Sequence, residues 1–366
     1  DIDKNLLLTG SENEIRAILH TLIINACEAS TEQKTVNIKA ELKNNQVNVT
    51  VLDQGKGLAI NIKDKSYPIV DDVIILLDLS NIPSEISSKI DGSKYNIDSP
   101  QSIDRDIQST FSEEWKTYNE ILPEHNEEFY QYFDTVDINK LHSKCVCDMG
   151  CGIGRWAYFL KDIVGEIVLV DFSESIFEAR KNLANAKNAI FILGDALNLP
   201  FRDNAFDFVY CLGVLHHTSE PALQSVRYLS RFSPELLIFL YYNLDNRGLI
   251  YKQIFKIVNV IRELLCNITS RLARKILTEL LMWLLYLPPI AFAKLLIKIS
   301  INPAKIPLYP FYSNMSLSRI RQDVYDRFFT SIEQRVSKQE ILELSDTFSE
   351  IVISDKVPYW HFLCKK

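Results

Sequence analysis

The sequence predicts an α/β protein in which a largely parallel sheet carries helices on its faces. The prediction rests first on residues 146–154, where an apolar run ends in an acidic residue, three glycines follow at alternate positions, and a helical pattern then begins. It rests second on the apolar runs 166–171, 191–196 and 206–213, which recur at the spacing of strand–helix–strand units. These runs come in the right order to form one ligand pocket at the end of the sheet.

Composition narrows the possible classes of function. The chain has 366 residues, of which 47% are hydrophobic, so it can build one large domain with appendages or two domains. Its net charge of −7 argues against a nucleic-acid-binding surface. No CxxC pairs occur among its seven cysteines, which indicates neither a disulfide framework nor a zinc site and favours free thiols in a reducing cytoplasm. No signal peptide is recognisable, and because the chain begins at Asp1 without Met, we expect its natural start to lie upstream.

Residues 1–58 predict a small α+β segment. A helical pattern covers Glu12–Ser30, and Thr35–Ala40 and Val47–Leu52 alternate like two strands of a hairpin. With the turn Asp53–Gly57, this segment resembles the first half of the ATP-binding domain of sensor histidine kinases. The resemblance implies that Asn25 holds a metal ion and that Asp53 reads adenine. It ends before the second glycine motif of that family, so a truncated half-domain and a small appendage with a chance turn both stay open.

Residues 59–110 are predicted to hold the divergent remnant of a small domain, followed by a linker. Lys65–Leu77 resembles the tail of a small zinc-ribbon family, but the cysteines of that ribbon are absent, so no metal site is expected. Ser80–Asp106 is rich in Ser, Asp, Asn and Pro and is typical of a linker. The main domain is expected to span 111–366 and to open with amphipathic helices at Phe111–Tyr118 and Glu128–Phe133. Their aromatic stripe normally packs in the core.

The glycine turn carries the chemistry of the main domain. It reads Asp148-Met-Gly150-Cys151-Gly152-Ile-Gly154, and glycines at a strand-to-helix turn let the backbone approach a ligand that a Cβ would obstruct. With the downstream strands, residues 111–366 resemble a class I S-adenosylmethionine-dependent methyltransferase of the small-molecule type. The resemblance implies a seven-stranded, Rossmann-like sheet with a helical cap insert, S-adenosyl-L-methionine as the cofactor and no catalytic metal.

The resemblance also assigns cofactor-binding residues. The turn from Asp148 to Gly154 would pass against the methionyl and ribose parts of the cofactor, with Asp148 under the amino group. Asp171 would bind the two ribose hydroxyls, a role that suits a carboxylate because it can accept from two adjacent donors. Phe172 would cover the adenine, Asp195 and Ala196 would read its edge, and Leu212 would lie at the pocket floor.

A nicotinamide-dependent dehydrogenase is the main rival for such a turn. Its fingerprint is GxGxxG, whereas this chain has GxGxG preceded by Asp148. The segment Val214–Pro221 after the fourth strand also matches methyltransferases better. The sequence therefore favours methyl transfer over hydride transfer.

The acceptor side is marked by histidines and aromatic residues. His216 and His217 follow the fourth predicted strand, where acceptors commonly lie, and an imidazole has a suitable pKa for a general base. The alternative is that they cap or pack a helix start, which we favour for His216. Tyr242, at the end of the fifth strand with Tyr241, could line the acceptor pocket or simply pack.

The insert 249–305 is basic and apolar. It holds nine Lys or Arg against two Glu, a net +7 in an otherwise acidic chain. Its uncharged run of fourteen residues contains Pro288 and Pro289, and we expect this break to leave it too short for a membrane-spanning helix, which needs ~20 residues. The composition predicts either peripheral membrane contact with a small or lipid-like acceptor, or a cap that buries its apolar side on the core or on a second subunit.

The C-terminal region closes the predicted fold. Ser337 and Glu340 have capping-box spacing, and Ile351–Ser354 and Tyr359–Cys364 predict a final antiparallel pair of strands. The function expected is methyl transfer from S-adenosylmethionine to an acceptor that the sequence leaves open. Two alternatives remain, an ATP-binding signalling fragment and a non-catalytic adaptor with a cofactor fold.

Overall fold

The computed structural model describes residues 6–7, 36–43, 46–53, 58–62, 65–77, 81–82, 84–88, 90, 105–245, 248–303, 306–356 and 360–366. Within them, thirteen strands form one continuous sheet. The strands are β1 (Leu6–Leu7), β2 (Val36–Lys43), β3 (Gln46–Asp53), β4 (Leu58–Ile62), β5 (Lys65–Val70), β6 (Val73–Ile75), β7 (Cys145–Met149), β8 (Glu166–Asp171), β9 (Ala189–Leu193), β10 (Phe208–Leu212), β11 (Glu235–Leu240), β12 (Glu350–Ile353) and β13 (Trp360–Lys365).

Strands β7 to β13 form the half of the sheet that carries the glycine turn. Their order is β9-β8-β7-β10-β11-β13-β12, with β7 to β11 parallel and β13 antiparallel to both its neighbours. Ile167–Val170 of β8 are at most 6% exposed, as expected of parallel strands with both faces covered. The chain order reverses between β7 and β10, which creates a crevice at their carboxyl ends. The predicted C-terminal pair of strands is confirmed.

The sheet does not stop at the seven strands that the sequence predicts. Strand β6 lies parallel to β9, and β5 pairs with β6, so the N-terminal strands continue the same sheet. Val73 and Ile75 are fully buried, which explains why this short apolar run joins the core instead of standing apart. The division at residues 58 and 110 stays a prediction.

The N-terminal hairpin predicted from alternation is present. Strands β2 and β3 pair antiparallel in register from Val36 opposite Asp53 to Lys43 opposite Gln46. The helix expected at Glu12–Ser30, the metal-binding role of Asn25 and the turn after Asp53 lie outside the described residues.

Twelve α-helices connect or flank the strands in the part of the chain that is described. They are α1 (Ser84–Ser87), α2 (Arg105–Thr117), α3 (Glu124–Tyr132), α4 (Ala157–Leu160), α5 (Ser175–Asn182), α6 (Ala222–Leu229), α7 (Leu249–Leu265), α8 (Arg271–Leu281), α9 (Leu287–Lys298), α10 (Tyr309–Tyr312), α11 (Leu317–Phe329) and α12 (Lys338–Leu342). Helix α2 begins before the predicted Phe111, because Ile107 is buried one turn earlier on the same face. Helix α12 has the predicted capping box between Ser337 and Glu340.

The helical insert does not break at its prolines, so that prediction is wrong. A π-helical turn, Met282–Tyr286, joins α8 to α9, and the prolines lie in the first turn of α9, where their missing N–H groups are not needed. The result is a continuous helix from Arg271 to Lys298. By length and composition alone it could cross a membrane, since an 18-residue window within it has a mean hydropathy of 1.9.

Helix α11 holds the insert against the domain. Met282, Val324 and Phe328 are fully buried together, and α7 and α8 both pack on α11. One side of the insert is therefore a true core face, placed beside the crevice at the carboxyl ends of the strands.

Candidate functional site

The glycine turn lies at the crevice where the strand order reverses. It leaves β7 at Met149, and the N–H groups of Gly150 and Cys151 donate to the carbonyl of Val170 at 2.7 and 3.0 Å. These bonds tie the turn to the end of β8. The turn is thus fixed by backbone contacts before any ligand binds.

The three glycines serve different purposes. At Gly150, with φ +77°, a Cβ would lie 2.4 Å from the side chain of Val214. At Gly152, with φ +54°, it would lie 3.1 Å from the ring of Trp115. At Gly154, with φ +73°, it would lie 2.6 Å from the side chain of Leu183. Gly150 and Gly152 therefore border the cavity, whereas Gly154 lets the following segment pack against α5.

Asp171 braces the turn from the end of β8. Its Oδ2 accepts from the N–H of Gly152 at 2.8 Å, and its Oδ1 accepts from the N–H and the hydroxyl of Ser173 at 2.8 and 2.6 Å. Burial raises the pKa of Asp171, and these hydrogen bonds oppose the rise. A carboxylate has about four acceptor positions, so Asp171 keeps capacity for a ligand.

Two cavities meet at this point. The larger cavity has a volume of about 1040 Å³ and the smaller one about 410 Å³. Both are lined by Phe111, Gly150, Asp171, Phe172 and Val214. A ligand of extended shape can therefore lie in both, passing Asp171 on the way.

The smaller cavity is lined by residues that the sequence assigns to adenine. Asp195 and Ala196 form part of its wall, with Asn198 and Tyr228 beside them. Asp195 accepts at Oδ1 from the N–H of Leu197 at 3.0 Å, which fixes the loop after β9. This end suits a flat, partly polar ring.

Two side chains beside the turn have buried polar atoms without a hydrogen-bond partner among the described residues. Asp148 is 1% exposed, and its Oδ2 has no hydrogen-bond partner among the described residues. Burial raises the pKa of Asp148 well above its usual range, with nearby Asp171 adding to the rise. The guanidinium of Arg155 lies over the rings of Trp115 and Trp156, 5.2 and 4.5 Å from their centroids, while its Nε and Nη1 stay unpaired within the described ranges.

These groups test whether the turn fits the cofactor. An α-amino acid needs one acceptor for its ammonium group and one donor for its carboxylate. Arg155 lines the larger cavity with unpaired donors, whereas Asp148 lies buried behind the turn, with one oxygen that has no partner among the described residues. Asp171 and Phe172 lie where a ribose and a ring face are needed, between the two cavities. The residues present therefore fit S-adenosylmethionine.

Helix α2 covers the turn. Trp115 lines the larger cavity and packs over Gly152, while Gln108 donates to the carbonyl of Phe172 at 2.6 Å. Trp115 of α2 thus both lines the site and packs the helix against the turn. Tyr118 instead contacts Tyr325 of α11, with ring centroids 6.4 Å apart.

The wall opposite the turn comes from β11 and α11. The hydroxyl of Tyr241 donates to Oδ2 of Asp326 at 2.8 Å, and the hydroxyl of Thr330 donates to Oδ1 at 3.2 Å. Burial and the nearby carboxylate of Asp326 raise the pKa of the Tyr241 phenol. Tyr241 and Asp326 both line the larger cavity.

His217 and His216 differ in their surroundings. Nδ1 of His217 lies 2.7 Å from the carbonyl of Ile332; because a carbonyl only accepts, Nδ1 carries the hydrogen. Its Nε2 lies 3.8 Å from Oδ1 of Asp326, and the residue lines the smaller cavity. His216 is 1% exposed and stacks on Tyr241 with ring centroids 3.9 Å apart. Burial lowers the pKa of His216, so it supports Tyr241 as a neutral ring.

Glu114 is a further carboxyl group at the larger cavity. It is 2% exposed, and it accepts at Oε1 from the amide of Gln322 at 3.3 Å. Its Oε2 has no partner in the part of the chain that the structure describes. Burial, and then the charge of nearby Asp326, raise the pKa of Glu114 well above its usual range.

Arginines of the same wall are held by carboxylates. Arg319 binds Glu128 at 2.9 Å and also contacts Asp323, and Glu333 accepts from Arg327 at 2.7 Å and from Arg335 at 2.8 Å. These ion pairs fix the wall. Within the described ranges, Glu114 and Asp326 are carboxyl groups of the cavity that form no ion pair with an arginine or lysine.

The structure brings most of the sequence-predicted site together. Those that line one or both cavities are Gly150, Cys151, Gly152, Asp171, Phe172, Asp195, Ala196, Leu212, His217 and Tyr242. Asp148 and Gly154 lie behind the turn and His216 behind Tyr241. Sequence reasoning missed Glu114, Arg155 and Asp326. The position of Arg155 directly after Gly154 is a usable signal, whereas nothing in the local pattern marks the other two.

Comparison with known proteins identifies the domain. Residues 146–232 match the family model described as "Methyltransferase domain". Demethylmenaquinone methyltransferases from Staphylococcus aureus strains such as JH9 and Newman are 42% identical over 66 residues, which is 17% of this chain. The chain covers only 27% of the length of these relatives. The match supports the predicted methyltransferase domain over residues 146–232.

Solved structures with detectable likeness include methyltransferases of low identity. Magnesium protoporphyrin IX methyltransferase from Synechocystis PCC 6803 has a TM-score of 0.35 and 14% identity, covering 73% of this chain and 87% of that one. A SAM-dependent methyltransferase from Aquifex aeolicus has a TM-score of 0.32 and 23% identity, covering 37% of this chain and 77% of that one. None of these comparisons supports the histidine-kinase resemblance of residues 1–58.

Proposed function

We propose that the protein transfers a methyl group from S-adenosylmethionine to a small, lipophilic acceptor held in the larger cavity. The observation that carries the proposal is that this cavity is lined both by Gly150 and Asp171 of the cofactor turn and by Tyr251 and Tyr286 of the insert. A volume of about 1040 Å³ exceeds what the methionyl end of a cofactor needs and leaves room for an acceptor.

The turn would hold the cofactor through residues with complementary chemistry. Arg155 suits its carboxylate and Asp171 the two ribose hydroxyls, while the charge of Asp148 would favour the ammonium group from behind the turn. Asp195 and Ala196 of the smaller cavity suit the adenine edge. When bound, the cofactor supplies an electrophilic methyl group on a positively charged sulfur.

The opposite wall would align the acceptor and manage its proton. Asp326 is the best-placed proton acceptor, because it lines the cavity, receives a hydrogen bond from Tyr241 and lies 3.8 Å from His217. Trp115 and Tyr286 would exclude water on either side of the acceptor, which favours a displacement in which charge is neutralised. His216 would position Tyr241 by stacking, and Tyr242 would border the acceptor.

The acceptor class follows from the lining of the insert side. Tyr251, Tyr286, Leu308 and Phe311 offer apolar and aromatic surface with hydroxyl groups at intervals. Such a wall favours a ring or chain of low polarity over a highly charged metabolite. The relatives named for demethylmenaquinone are consistent with this class.

The test is methyl transfer from a cofactor labelled in the methyl group. The intact chain would be incubated with a lipid extract and, separately, with the aqueous fraction of the same cells. We expect label to enter the organic phase from the lipid extract, and an Asp171→Ala variant to abolish the transfer. Label entering only aqueous products would overturn the lipophilic acceptor, and cofactor binding without transfer to either fraction would favour the adaptor alternative.

A further inference from the structure

The insert exposes apolar side chains on the side that faces away from its core. Between Leu249 and Ile301, fifteen large apolar side chains are 47% to 79% exposed, against five in the rest of the described chain. They recur at helical spacing in each of three helices, for example Ile257 and Leu264 in α7, and Ile276, Leu280 and Leu284 from α8 into the π-helical turn. We name these residues the apolar stripes.

The stripes are not a by-product of loose packing. The same helices bury a second apolar side against α11, where Met282 is fully buried and Ile290 is 5% exposed. A helix that is apolar on both sides is typical of one that meets a second apolar medium. The described part of the chain shows nothing that covers the stripes.

Basic residues accompany the stripes in a regular way. Lys256, Arg271, Lys275, Lys294 and Lys298 are exposed, and each directly precedes an exposed apolar residue of the stripes. The two remaining arginines of these helices are turned inward, because Arg274 pairs with Glu113 and Arg262 donates to the carbonyl of Thr330. The solvent side therefore presents cations next to apolar side chains, the arrangement of a surface that binds anionic lipid.

The same contacts decide between lying on a membrane and crossing it. The helix from Arg271 to Lys298 is long enough to cross, but Arg274 is held in the domain by Glu113. Tyr286 of the same helix lines the larger cavity. Crossing would remove both residues from their partners, so the helix is expected to lie in the interface. A symmetric contact with a second copy is disfavoured because it would bring two inserts of charge +7 together.

We propose that the apolar stripes of residues 249–301 dock the protein on a bilayer that contains anionic lipid. The stripes enter the boundary between headgroups and acyl chains, and the four lysines and Arg271 contact the headgroups. This inference rests on the proposed function for its purpose, since the insert that docks also lines the cavity in which a lipophilic acceptor would bind. Docking itself needs no methyl transfer.

The experiment uses the intact chain and two kinds of vesicle, one of phosphatidylcholine and one of equimolar phosphatidylcholine and phosphatidylglycerol. Sedimentation measures binding, and the emission of Trp283 reports insertion because this side chain is 58% exposed whereas Trp156 and Trp360 are buried. We expect binding to the anionic vesicles with a blue shift, weaker binding to the neutral ones, and release by salt. A Trp283→Phe variant should bind without the shift.

Paired variants test which residues carry the binding. Ile276→Asn with Leu284→Asn removes apolar surface, and Lys275→Glu with Lys298→Glu reverses charge; each pair should weaken binding to anionic vesicles at least about tenfold. The matched control, Leu342→Asn with Val352→Asn, changes exposed apolar residues elsewhere and should leave binding unchanged.

Several outcomes would overturn the proposal. Failure of the unaltered chain to bind either vesicle, or equal binding by all variants, removes the docking surface. A dimer in the absence of vesicles that the Ile276 and Leu284 pair dissociates would assign the stripes to a second copy, and retention on membranes after alkaline extraction would assign them to a spanning helix. Titration of the same preparation with S-adenosylhomocysteine separates the two claims, because lost docking with retained binding leaves the proposed function standing.

Discussion

At the glycine turn, the cavity wall comes from residues that follow one another along the chain, from Asp148 to Arg155, and from the ends of adjacent strands. The opposite wall combines Glu114 of α2, Tyr241 after β11 and Asp326 of α11, which are separated by more than eighty residues at each step. The first wall is fixed by backbone bonds and glycine geometry. The second is fixed by side chains and ion pairs. A cofactor-binding wall of this kind can be predicted from the sequence, whereas the residues of the opposite wall form no local sequence pattern.

The largest effect is expected where the acceptor wall handles a proton. Asp326→Asn keeps the size of the side chain but removes its charge, and we expect the rate of methyl transfer to fall by about 10²-fold or more. The affinity for S-adenosylhomocysteine should stay within about twofold, since Asp326 lies on the other wall. Initial rates with the lipid extract and calorimetric titration measure the two quantities. An equal loss of cofactor affinity would show that the walls are not separate.

A smaller loss is expected at the cofactor wall. In Gly150→Ala, the new Cβ would lie 2.4 Å from Val214 in a backbone with φ +77°, so the turn must shift. A left-handed residue alone costs about 1–2 kcal/mol, and we expect the affinity for S-adenosylhomocysteine to fall by about thirtyfold. Gly248→Ala is the control, because nothing lies within 4 Å of its added Cβ. Unchanged binding in Gly150→Ala would show that the contact between Gly150 and Val214 does not hold the turn in its ligand-binding position.

His125 is a buried histidine of α3 whose protonation is influenced by Arg155 and Arg319. It is 1% exposed and accepts from the N–H of Leu122 at 3.0 Å. Burial, then the charges of Arg155 and Arg319, lower the pKa of His125 to about 2.

Folding therefore favours the neutral form of His125. Its contribution to stability is complete above an unfolded pKa of about 6.5 and is lost progressively as the pH falls towards 2. Between about pH 6 and pH 5, the unaltered chain should lose about 1.2 kcal/mol more unfolding free energy than a His125→Asn variant, which keeps an acceptor. Urea unfolding at several pH values measures this, and parallel curves for the two proteins would contradict it.

The smallest effect is expected far from both walls. Ser337→Ala removes the hydroxyl that accepts from the N–H of Glu340 at 3.1 Å at the start of α12. We expect a loss of about 1 kcal/mol in unfolding free energy and no change in cofactor affinity or transfer rate. Thermal unfolding measures the loss of stability, with Ser349→Ala as the matched control. Altered kinetics in Ser337→Ala would show that α12 is coupled to the site.

The sequence predicted what short-range patterns encode. The strands β7 to β11, the glycine turn, Asp171 and the capping box of α12 all follow from spacing, burial runs or turn chemistry within a few residues. The continuation of the sheet through β6 was missed because β6 has only three residues and follows Asp71 and Asp72. So short an apolar run does not predict a strand by itself, and it forms one here because it pairs with β9. The conformation of that segment is therefore determined by its pairing with β9 and not by its local sequence.

The helix break was predicted wrongly and the acceptor wall was missed, both for a different reason. A proline pair normally ends a helix, but a π-helical turn over Met282–Tyr286 absorbs it, and no residue pattern announces that turn. Glu114 sits in an amphipathic helix among residues that mainly pack, and only the approach of α11 makes it a buried carboxyl group at a cavity. Such sites depend on contacts that the chain order does not display.

The central claim is that the glycine turn and Asp171 bind S-adenosylmethionine. It is tested most directly by calorimetric titration of the intact chain and an Asp171→Ala variant with S-adenosylhomocysteine, and of the intact chain with ATP. We expect binding on the order of micromolar affinity in the intact chain, loss in the variant at an unchanged circular dichroism spectrum, and no ATP binding. Binding of ATP alone, or equal S-adenosylhomocysteine binding in both proteins, would contradict the account.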